Sequence, residues 1–142
     1  MIYELGFSTA SGTNNTCAVE LYTKSTDRVA ILEIEWFGLS NTRVTWGLGR
    51  PAAVGLQPVA IGPVLAVDPL APTGTLRAAV SWSSTAPTAP STYLRRVTTQ
   101  ATIGSGGIMV FPRGLIVPVS SSLVLFNLDT NALCNVRILV DE

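Results

Sequence analysis

Few side chains in this chain are equipped for chemistry. Among its 142 residues there is no histidine, which removes the commonest general base near neutral pH and the commonest metal ligand. Lys24 is the sole lysine, so Schiff-base chemistry has one candidate. Cys17 and Cys134 are the two cysteines. A nucleophilic thiol needs a base beside it, and no histidine is there to serve. No Cys-x-x-Cys occurs, which excludes thioredoxin-type redox motifs and zinc sites of that spacing. Both cysteines fall on the apolar faces of predicted strands. They form a disulfide if those strands lie within bridging distance, and otherwise pack as two small buried thiols. Glu33 and Glu35 would share one face of a strand, about 7 Å apart, a separation that glycosidase carboxylates use. Two glutamates on a solvent-facing strand give the same pattern without any reaction. Asp68, Asp129 and Asp141 lack the spacing of a calcium loop. No enzyme activity, metal or cofactor is expected.

Binding motifs are equally sparse. Gly104-Ser105-Gly106-Gly107 has the glycine content of a phosphate loop but neither the Gly-Lys-Ser/Thr ending nor a helix after it. A strand-like Ile108-Met109-Val110-Phe111 follows, so the glycines read as a turn. Asn14-Asn15-Thr16 matches the N-glycosylation tripeptide, and a polar turn over 11–15 accounts for it equally well. Trp36 sits on an apolar strand face, Trp46 beside Gly47 and Gly49, and Trp82 among serines. Trp46, Trp82 and Tyr93 would make a saccharide platform; core packing or subunit contact is the other reading. Arginine outnumbers lysine eight to one, and arginine favours bidentate pairing with carboxylates across an interface. Arg95 and Arg96 are neighbours on a predicted strand and point to opposite faces, which argues for an inter-subunit ion pair rather than a basic patch for RNA.

The elements that must hold these residues are strands. Ala30, Leu32, Ile34 and Trp36 alternate with Glu33 and Glu35. Cys134, Val136, Ile138 and Val140 alternate with Asn135, Arg137 and Asp141. Cys17, Val19 and Leu21 alternate with Ala18, Glu20 and Tyr22. This period of two, with Gly, Pro, Asn and Ser at the boundaries, marks half-buried antiparallel strands. Strands are expected over 2–8, 17–23, 28–38, 43–48, 75–83, 93–102, 107–111, 115–119, 122–128 and 133–140. No capped helical stripe occurs. The expected fold is an all-β antiparallel β-sandwich, jelly-roll-like, in one domain over 1–142. Within it lies an extended segment, about 51–72, with prolines at 51, 58, 63, 69 and 72. Proline cannot sit in a central strand, yet Val54, Leu56, Val59, Ile61, Val64, Leu65 and Val67 are too apolar for a free loop. The segment should therefore lie over a surface, either its own sandwich or a neighbouring subunit. A second stretch, 83–91, is polar and proline-stiffened and reads as an exposed loop.

Composition narrows the partners. Charged residues make up 13% of the chain, against a usual figure of about 25%, and nine basic side chains balance nine acidic ones. With 47% hydrophobic residues, disorder is excluded. A nucleic-acid partner is disfavoured, because phosphate binding rests on a basic excess. No apolar run approaches the roughly 18–20 residues of a spanning helix, so no membrane partner is expected. The N-terminal residues lack the marks of a signal peptide, and the expected location is a cytoplasm or a particle assembled there. Zero net charge is poor for a free monomer and points to assembly.

The last third is the most distinctive part. Gly107-Ile108-Met109-Val110-Phe111-Pro112-Arg113-Gly114-Leu115-Ile116-Val117-Pro118-Val119 is followed by Ser122-Leu123-Val124-Leu125-Phe126-Asn127-Leu128 and by Val136-Arg137-Ile138-Leu139-Val140-Asp141-Glu142. This succession resembles the small jelly-roll capsid cement, or decoration, proteins of tailed bacteriophages. The resemblance covers residues 93–142 and is one of strand spacing and turn residues. It implies a structural virion protein, a homotrimer on the outside of an icosahedral head, with itself and the major capsid protein as partners. It transfers no catalytic residue, and no charged N-terminal arm for lattice binding is present. The candidate subunit or capsid interface comprises Arg50, Val54, Leu56, Val59, Ile61, Trp82, Arg95 and Arg96. The competing readings are a carbohydrate- or receptor-binding module of a phage fibre and a minor tail or connector protein.

Overall fold

A computed structural model describes residues 2–8, 16–23, 28–55, 64–67, 79–80, 87–129 and 133–142. Among the described residues there are ten strands and no helix: β1 (Ile2–Ser8), β2 (Thr16–Tyr22), β3 (Val29–Gly38), β4 (Val44–Gly49), β5 (Val64–Ala66), β6 (Ala79–Val80), β7 (Arg95–Thr99), β8 (Gly106–Val117), β9 (Ser122–Asn127) and β10 (Cys134–Asp141). They form two sheets, ordered β5-β1-β10-β3-β8 and β6-β2-β9-β4-β7. Every pairing is antiparallel. Each sheet thus has four longer strands and one short edge strand.

The alternation read along the chain builds the core between the sheets. Tyr3 and Leu5 of β1, the even-numbered residues Cys134–Val140 of β10, and Val19 and Leu21 of β2 all point inward. Val44, Trp46 and Leu48 of β4 and Leu123 and Leu125 of β9 lie in the same sheet as β2 and with it face the inward residues of β1 and β10. Trp36 and Trp46 are each 1% exposed. Cys134 is buried in this core.

β3 departs from strict alternation. Val29 and Ile31 face the core, then Ile34 and Trp36 do, while Ala30 and Leu32 turn outward. The cause is a bulge at Leu32. β10 pairs Val140 with Ile31 and Leu139 with Glu33, skipping Leu32. β8 skips the same residue, pairing Leu115 with Ile31 and Val110 with Glu33. One extra residue in a strand reverses the facing of everything beyond it.

β8 is the second departure. The expected strands 107–111 and 115–119 are one strand, interrupted where Phe111-Pro112-Arg113-Gly114 loops out opposite Leu32. Pro112 is tolerated because an edge strand can spare a ladder N–H at a bulge. Gly114 has φ +70°, and a Cβ there would come within 2.9 Å of the Ala30 Cβ, so glycine is required on both counts.

β9 is buried on both faces, which suits its unbroken apolar run. Its outer face, Val124 and Phe126, is covered by Ala89, Tyr93 and Leu128. Gly47 of β4 leaves room for the Tyr93 ring, since a Cβ there would meet it at 2.6 Å. Of the expected exposed loop 83–91, residues 83–86 lie outside the described residues, and within 87–91 Pro87 and Pro90 are buried.

The connection from β4 to β7 spans 50–94 and serves both sheets. β5 pairs with β1 and β6 with β2, so this one excursion adds an edge strand to each. Ala53 bridges to Thr88 within it. Of the segment 51–72, Val64–Ala66 is a strand on the chain's own sandwich, and 56–63 and 68–72 lie outside the described residues. Of the expected strand 75–83, Ala79–Val80 is described as strand.

Candidate functional site: the β7–β8 edge

β7 and β8 end their respective sheets on the same side of the sandwich. Arg95 of β7 reaches across, its guanidinium carbon 4.9 Å from the Phe111 ring centre on β8, a cation–π distance. Arg113 lies beside it in the bulge, and together with Phe111, Pro112 and Gly114 these residues line an open concavity. Arg50, just after β4, donates from Nη1 to the Ile116 carbonyl of β8 at 3.2 Å. Three guanidinium groups therefore follow the second half of β8. Along the same strand Ile108, Val110 and Ile116 are 55%, 50% and 39% exposed.

The outer face of the first sheet carries the opposite sign. Arg137, at the centre of β10, binds Glu4 of β1 at 2.8 Å, Glu33 of β3 at 2.7 Å and Glu35 at 3.0 Å. The register makes this cluster: Arg137 is opposite Glu35, and Leu139 is opposite both Glu4 and Glu33. Three carboxylates share one guanidinium, which leaves two negative charges in surplus. The hydrogen bond from Arg137 holds the Glu4 carboxyl below its ordinary value. The hydrogen bond to Glu4 raises the guanidinium pKa still further. Glu33 and Glu35 are thus ion-pair partners of a strand neighbour. Asp129 is likewise structural, accepting from the Thr45 backbone N–H and hydroxyl, each at 2.8 Å. Burial pushes that carboxyl up, but these two bonds and the charge of Arg43 outweigh it and leave it below the ordinary value.

No known family model, curated protein or solved structure matches this chain.

Of the candidate interface residues, Arg50 and Arg95 come together along β8. Arg96 points the other way, 5.7 Å over the Tyr93 ring, as neighbours on a strand must. Val54 is 44% exposed beside the Ala53–Thr88 bridge. Leu56, Val59, Ile61 and Trp82 lie outside the described residues. Trp46 is buried and cannot stack on a saccharide. Gly104-Ser105-Gly106-Gly107 is a turn into β8, with Gly104 at φ +81°. Glu20 is buried on the outer side of the second sheet, where its Oε1 accepts from the Gly55 N–H at 3.0 Å. Sequence reasoning did not single out Arg113, Arg137 or the outward apolar residues of β8. The available signal was the run 108–111, which is apolar at every position and so supplies both faces.

Proposed function

We propose that this chain is a structural virion protein, a capsid cement protein that sits as a homotrimer on the outer surface of an icosahedral phage head. It is made in the host cytoplasm and resides in the virion. Its partners are further copies of itself and the major capsid protein, and its task is to hold neighbouring capsomers together. The strand order supports a jelly roll. With β5 and β6 set aside, the eight longer strands number 1-8-3-6 in one sheet and 2-7-4-5 in the other. This interleaving is the one expected of two wound Greek keys, the architecture of many viral shell domains, and also of lectins and cupins.

The observation that carries the reading is the apolar strip on β8. Its outer edge has no strand neighbour among the described residues, and long exposed apolar edges are surfaces that other protein covers. A ligand that binds only the assembled lattice stabilises it by its binding free energy, and three linked subunits add avidity. Arg50, Val54, Arg95 and Arg96 are the described residues assigned to subunit or shell contact.

The test compares particles with and without the protein. Particles lacking it should lose DNA at a lower temperature, and its copy number should approach that of the major shell subunit. A copy number near a dozen would replace this reading with a connector role. Glycan binding lost on Trp82→Ala, with the fold intact, would replace it with a receptor-binding one.

A further inference from the structure

We propose that the β8 edge docks a second copy of this chain, the arginine-lined concavity of one copy receiving the Glu33 and Glu35 carboxylates of the next. The inference deepens the homotrimer reading above and rests on it.

Sign segregation carries the argument. The whole chain is neutral, yet two groups of its described charges stand apart. Arg50, Arg95 and Arg113 line one edge, held by a carbonyl, a ring and a bulge, and none has a carboxylate partner among the described residues. Glu4, Glu33 and Glu35 crowd a single guanidinium on the adjoining face. A copy of the same chain offers each patch its complement, and like-charge contact suppresses the wrong orientation.

Between the patches lie Ile108, Val110 and Ile116, which would leave water on contact. Glu33 is opposite Val110 and Glu35 opposite Ile108, so the carboxylates border the apolar strip directly. The bulge at Pro112 and Gly114 interrupts the ladder, so the contact is made by side chains rather than by continuing the sheet. Two different patches meeting head to tail form a heterologous interface, which closes into a ring when the rotation allows. A trimer requires that kind of contact.

The experiment measures mass by sedimentation at micromolar concentration for the intact chain, Arg113→Glu, Glu35→Arg and the double reversal. The intact chain should be multimeric. Each single reversal should weaken association about tenfold or more, and the double reversal should recover most of the loss. Because Glu35 also touches Arg137, Ile108→Ser serves as a second probe at an exposed position. It should weaken association while the melting temperature of the dissociated chain stays unchanged. Multimers indifferent to all these changes would overturn the contact. So would a monomeric chain whose position 113 crosslinks only to a shell protein, since the occupant would then be another partner. A chain that stays monomeric yet coats and protects heads overturns this contact and spares the cement function. A chain whose assembly follows the charge reversals but ignores heads does the opposite.

Discussion

The Arg137 guanidinium faces three carboxylates, and its removal shows what each side of that balance contributes. Arg137→Met keeps the aliphatic stem and deletes the charge. Glu4, Glu33 and Glu35 then repel one another on a half-exposed face. The expected cost is about 1–3 kcal/mol near neutral pH, read from chemical denaturation. The pH dependence follows from Glu4, whose folded pKa lies below its ordinary value of 4.5. Its contribution is fully present above that value and is lost as pH falls through the folded pKa. The gap between Arg137→Met and the unaltered chain should therefore be widest above about pH 5 and narrow on acidification. A gap that widened in acid would contradict this account. Glu33 and Glu35 were legible as a same-face pair from spacing alone. Their partner was not, because Arg137 lies about a hundred residues away and only the strand order sets it between Glu4 and Glu35.

Elements were legible where alternation is regular, as in β1, β4 and β10. They were misread where an extra residue enters. Leu32 is as apolar as Ile31, so no pattern distinguishes the bulge residue from the core residue beside it. Pro112 and Gly114 read as the end of one strand and the start of another, and only an edge position lets both stay within β8. Gly47 gives a sharper lesson, since its role is to admit the Tyr93 ring. Gly47→Ala forces a Cβ to 2.6 Å from that ring and 3.0 Å from the Leu128 side chain. The expected loss is about 1–3 kcal/mol. In a Tyr93→Ala background the same change should cost under about 1 kcal/mol, because the two effects share one contact. Thermal melts of the four combinations measure this coupling. Additive losses would mean that the 87–94 segment does not rest on β4 as described.

At the scale of the molecule, sheet order was illegible because nearly every pairing joins distant parts of the chain. The excursion 50–94 illustrates this: it leaves β4, lends β5 to one sheet and β6 to the other, and returns as β7. Prolines mark its extended course, but nothing in their spacing says which edges it joins. That covering is one-sided. β5 and β6 shield the β1 and β2 edges, while β7 and β8 close their sheets with no further strand among the described residues, and the arginines stand there. Where rim charges steer association, salt slows the encounter, whereas an apolar contact once formed holds against it. Raising sodium chloride from about 0.05 to 0.5 M should therefore lower the subunit association rate about tenfold and change dissociation less than about twofold. Stopped-flow mixing of labelled subunits separates the two rates. An association rate indifferent to salt would mean that the arginine edge and the glutamate face do not meet, and the contact between copies would have to be sought away from β8.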